Sequence, residues 1–101
     1  MADSHRTLNG DENSWIEFSK SGYPFRLARE LRDTKRESET ILLIAKYITA
    51  CHVPTLDGNW VEEIKDEDAL LDVDEQLVVE IIRQFYAFRQ ERMYSPLEKN
   101  S

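Results

Sequence analysis

The chain has 101 residues, 41% apolar and 33% charged, enough for one compact unit with a single core and too little for two. Thirteen basic against 20 acidic residues leave a formal charge of −7, which opposes ordinary binding to phosphate backbones, and no direct nucleic-acid contact is expected. The longest apolar run, ILLIA at 41–45, is far short of the ~20 residues that cross a bilayer, so no membrane span is expected, and a single cysteine cannot form an internal disulfide.

Residues 1–14 hold few apolar side chains and read as a flexible N-terminal arm without the apolar stretch of a secretory signal, so a cytoplasmic location is expected. Trp15 to Phe18 form a short aromatic segment that reads as a short strand or an extended arm. From Pro24 the spacing changes. Phe25, Ala28 and Leu31 recur at helical intervals, which predicts a first helix over 24–34 with Pro24 in its opening turn.

Thr34 and Glu37 have the spacing of a capping box, and the apolar run that follows predicts a second helix over 36–51. Its apolar character on nearly every side requires a central position or a contact with another chain. Pro54 and Asp57-Gly58 end it, and Trp60, Val61 and Ile64 can return as a strand over 59–64 that pairs with 15–19.

The segment DEDALLDVDE at 66–75 carries six carboxylates in ten residues. A calcium loop starting at Asp66 fails, because Leu70 and Leu71 fall where a ligand and a glycine are needed and Leu77 falls where the bidentate glutamate belongs. A simpler role fits better: Asp66 to Asp68 open a short turn, Asp72 or Asp74 caps the next helix, and Ala69, Leu70, Leu71 and Val73 turn inward. A dense carboxylate array can also mimic nucleic acid, although basic residues such as Arg26, Arg29, Lys46 and Arg83 are scattered through the predicted helices.

A third helix is predicted over 74–93. Val78, Ile81, Phe85 and Phe88 make its main apolar stripe, and beside it runs a second row of Val79, Ile82, Tyr86 and Met93. The main stripe suffices to attach the helix to a core. The second row, with the C-terminal tail over 95–101, is therefore the candidate partner-binding surface. No metal ligands, cofactor motif or catalytic residues are assigned: Gly-rich phosphate loops, GxSxG, HExxH and CxxC are absent, and Cys51 and His52, as neighbours on a helix, would face different ways. The chain reads as a non-enzyme.

The order WIEFSKSGYPFRLARELRDTKRESETILLIAKYITACHVPTLDG, then LLDVDEQLVVEIIRQFYAFR and a tail SPLEKNS, resembles small proteins from the tail-morphogenesis regions of long-tailed phages and prophages that act as tail assembly chaperones. The resemblance implies a small acidic helical protein that binds the tape measure protein, or tail tube protein, in the host cytoplasm. It implies a short form that can have a longer frameshifted counterpart. The alternatives are an acidic inhibitor mimicking nucleic acid and a small structural interaction module, and a homo-oligomer fits any of the three. The fold expected is mainly α: a small three-helix domain over 15–94 with a short β-hairpin and flexible termini.

Overall fold

A computed structural model describes the backbone of residues 4–100 and the side chains of residues 4–92. The fold is α+β, not mainly α. A four-stranded antiparallel sheet in the order β1-β2-β3-β4 is built from His5–Leu8, Asp11–Phe18, Ile48–Pro54 and Trp60–Val61. Helices α1 (Phe25–Asp33), α2 (Glu37–Ala45) and α3 (Glu75–Asn100) supply the rest of the core, with a short 3-10 turn at Glu67–Leu70.

The N-terminal segment is where the expectation and the fold differ most. Residues 5–8 and 11–14 are in the sheet, and Leu8 is fully buried. The cause is Asn9-Gly10, whose φ values of 53° and 75° are the left-handed pair of a two-residue type I′ hairpin turn. His5 to Thr7 pair with Glu17 to Trp15, and Leu8 pairs with Asp11 across the turn. Space around Gly10 is open, so a Cβ there meets no atom and only the backbone objects. Gly10→Ala is accordingly expected to cost about 1–2 kcal/mol, the penalty of a left-handed non-glycine residue, and to lower the thermal melting midpoint without changing the fold.

The predicted second helix stops early. It ends at Ala45, a turn follows at Lys46 and Tyr47, and Ile48–Pro54 is a strand. Ile48, Thr49 and Val53 are β-branched and suit a pleated surface better than a helix, and the burial of Cys51 and Val53 on either side of half-buried His52 is the alternation of a one-sided strand. The predicted capping box does not form. Thr34 Oγ1 instead donates back to the Leu31 carbonyl at 2.8 Å, closing α1, while Glu39 accepts from the Lys35 amide at 3.2 Å.

The strand expected over 59–64 shortens to Trp60–Val61 and pairs with β3, not with 15–19; the partners of β2 are β1 and β3. The third helix runs on past 93, and the backbone of the segment expected to be a flexible tail is helical through Asn100.

One layer of the core is the inner sheet face, with Leu8, Ile16, Phe18, Cys51 and Val53. Leu27 and Leu31 of α1, Ile41 and Ile44 of α2, and Leu77, Ile81, Phe85 and Phe88 of α3 close over it. The polar edge of α3 clamps the first hairpin: Glu80 accepts from the Asn9 amide at 3.1 Å, Gln84 from Arg6 Nε at 3.0 Å, and Glu91 pairs with Arg6 at 2.7 Å.

Candidate functional site

The second apolar row of α3 is the surface singled out by the sequence. Val79 is 47% and Tyr86 40% exposed, and Ile82 is half-buried against the core. The Tyr86 ring meets Phe85 edge-on at 6.4 Å, so it rests on the core without entering it. Met93 shares the helix, but its side chain lies outside the described residues. Three of the four predicted positions thus form one partly exposed strip, spaced three and four residues apart as neighbours on a helix surface must be.

The acidic segment is largely structural. Asp66 caps the 3-10 turn by accepting from the Asp68 amide at 3.0 Å, and Asp74 caps α3 by accepting from Gln76 at 2.8 Å. Leu70 and Val73 are buried and Ala69 is half-buried, as the spacing predicted. Leu71 is not. It is 74% exposed, and Leu56, whose amide donates to the Asp72 carbonyl at 2.8 Å, is 76% exposed beside it. Nearby, Asp57 accepts from the Thr55 hydroxyl and from Asn59, and these bonds hold its carboxyl below the ordinary range.

Charge is segregated along the chain. Nine carboxylates and one lysine lie between Asp57 and Glu75, whereas six basic and two acidic residues lie between Lys20 and Arg36. The basic segment contains α1, and α3 adds Arg89 and Arg92 next to Tyr23 and Leu27. Arg92 is fixed there: it donates to the Ser19 and Ser21 carbonyls at 3.3 and 2.7 Å and its guanidinium lies 4.6 Å from the Tyr23 ring centre.

Cys51 and His52 do not cooperate, but the reason differs from the one expected. They sit on a strand, where successive side chains point to opposite faces. Cys51 faces the core, and burial, with help from Glu62 and Glu63, pushes its thiol up to about 11. A thiolate is scarce at neutral pH in that setting.

His52 instead joins a row of rings that sequence reading missed. One aromatic residue from each strand crosses the outer sheet face: His5 lies 4.9 Å from Trp15, Trp15 6.2 Å from His52, and His52 3.9 Å from Trp60. The last two pairs are stacked, with interplanar angles of 25° and 12°. The rings of these two pairs turn their faces to each other, which makes a cross-strand brace, and Trp60 at the end of the row stays 46% exposed. The row's only sequence signal is the strand register, which has to be known first.

Comparison with known protein families, curated proteins and solved structures finds no match. No helix among the described residues is long and apolar enough to cross a membrane.

Proposed function

We propose that this chain is a non-enzymatic assembly protein, a tail assembly chaperone of phage or prophage morphogenesis that holds the tape measure protein in the host cytoplasm until the tail tube forms around it. The observation that carries this reading is the partly exposed row Val79, Ile82 and Tyr86 on a helix whose other face already fills the core. An amphipathic helical segment of an elongated partner can lay its apolar side on such a strip, and the acidic surface keeps the complex soluble. Mimicry of nucleic acid has less support, because Asp66 and Asp74 turn to backbone amides and Leu56 and Leu71 interrupt the carboxylates.

Tyr86→Asp tests the reading. A charge placed in a desolvated interface is costly, whereas a side chain 40% exposed in the free protein tolerates it. Loss of co-purification with the co-expressed tape measure protein, alongside an unchanged thermal melt, is the expected result. Undiminished co-purification removes the row from the interface, and a collapsed melt places Tyr86 in the core.

A further inference from the structure

We propose that the groove between α1 and α2 is a docking site for a basic amphipathic helix of a partner protein, whose apolar side chains meet Leu42 and Leu43 while its lysines or arginines meet Glu30, Asp33 and Glu39. The groove has a volume of about 380 Å³, and those five residues line it, with Thr34 at one end and Lys46 at the other.

Its apolar floor is surplus to the core. The face that α2 buries is made of Thr40, Ile41 and Ile44. Glu39, Leu42, Leu43 and Lys46 follow the i, i+3, i+4, i+7 spacing of a different face, on which Leu42 is 44% exposed and Leu43 is only half-buried. The run ILLIA is apolar on more sides than the attachment of α2 requires, and the remainder is placed at the surface.

The rim sets the charge of the partner. Among the described residues Glu30 and Asp33 take part in no hydrogen bond or ion pair, and Glu39 accepts from the Lys35 amide at 3.2 Å without pairing with a charged side chain. Three carboxylates stand against the one ammonium of Lys46, and none of the arginines of α1 lines the groove. The C-terminal end of α1, at Asp33, adds the negative pole of a helix dipole. Over a longer range, the net charge of −7 attracts a basic segment.

Backbone chemistry makes that segment a helix. Both walls are helices whose amides and carbonyls are bonded within the element, so the groove offers no ladder to an extended chain, and whatever lies in it must satisfy its own backbone. No residue of α3 lines the groove, so this inference stands or falls apart from the Val79–Tyr86 row.

Fluorescence anisotropy of a labelled peptide tests it, the probe being a helix of about 15 residues with leucine at i, i+3, i+4 and i+7 and lysine elsewhere. A scrambled peptide of the same composition and a striped peptide with glutamate in place of lysine are the controls. The striped Leu/Lys peptide is expected to bind saturably, and both controls about tenfold or more weakly. E30K/D33K should weaken binding about tenfold or more, whereas E62K/E63K, which changes the net charge equally at another acidic site, should weaken it less than about threefold. Leu42→Ser is an uncharged check, expected to weaken binding with an unchanged thermal melt, and it decides alone should E30K/D33K fail to fold. No binding up to about millimolar peptide overturns the proposal. So does a scrambled peptide that binds equally well, or an equal loss in E62K/E63K. Binding that Tyr86→Asp abolishes and Leu42→Ser leaves intact assigns the peptide to α3 and overturns it too.

Discussion

Phe85→Ala is expected to lower the stability of the protein by about 3–5 kcal/mol, the loss typical of a large aromatic side chain removed from a closed core. Phe85 is fully buried, and three separate parts of the chain meet on its ring. Phe18 of β2 packs edge-on at 5.2 Å, Tyr23 of the segment before α1 stacks at 5.8 Å, and Tyr47 of the α2–β3 turn lies at 6.4 Å. Each contact joins α3 to a different element. A cavity at this point removes attraction from all of them together, and the surrounding rings are too large and too constrained to collapse into it. A domain of this size has a total of about 5–15 kcal/mol, so the variant will sit near the limit of folding at physiological temperature. The urea midpoint measures the effect; an unchanged midpoint would remove Phe85 from the centre of the core. Phe85→Leu, which refills part of the space, should lose markedly less.

That core was legible in the sequence, and the sheet was not. Phe85, Ile81 and Ile44 stand out because apolar residues at helical spacing have one physical explanation, and all three are fully buried. The sheet carries a weaker signal for reasons visible in its residues. Strand β1 is HRTL and β2 begins DENS, polar sequences whose outer face meets solvent and whose only buried positions before Ile16 are Leu8 and Ser14. Such a strand has low apolar content although its backbone is fully committed to the ladder. Asn9-Gly10 was the available clue, since that dipeptide favours the positive φ values of a type I′ turn, but it outweighs the polar composition only when read as backbone geometry. In ILLIAKYITACHVP the difficulty is reversed: a continuous apolar run has no period, and the β-branched content after Tyr47 is the one feature that separates strand from helix.

The candidate surfaces divide in the same way. Val79, Ile82 and Tyr86 follow from the geometry of one helix and could be placed together without the fold. The placing of Arg89 and Arg92 against Tyr23 and Leu27, the exposure of both Leu56 and Leu71, and the four-ring row from His5 to Trp60 each bring together segments distant in sequence. Leu71 in particular looks like its neighbour Leu70, and only the 3-10 turn capped by Asp66 decides that one is buried and the other is not.

Glu80 presents the second large effect, and one that depends on pH. Its side chain is only 6% exposed, yet it is charged: Asn9 N–H, Arg83 Nε and Gln84 Nε2 donate to it at 3.1, 2.6 and 3.3 Å. Burial is the largest single influence and acts to raise the carboxyl pKa, but the donors together outweigh it and hold the group below its ordinary value of 4.5. A carboxylate with a lower pKa folded than unfolded binds fewer protons in the native state, so its contribution to stability is fully present above about pH 4.5 and is lost as pH falls through the folded value. Glu80→Gln retains an acceptor for the hairpin amide and removes the charge, and is expected to cost about 1.5–3 kcal/mol at neutral pH. The difference between wild type and this variant should then shrink on acidification below pH 4.5, because both carry a neutral side chain at position 80 once Glu80 is protonated. The chain's other carboxylates are present in both proteins, so their titration largely cancels in the comparison. Parallel melting curves at a series of pH values measure this directly. A gap that stays constant into strong acid would mean that the charge of Glu80 does not stabilise the clamp between α3 and the Asn9-Gly10 turn, leaving shape and packing to hold the first hairpin in place.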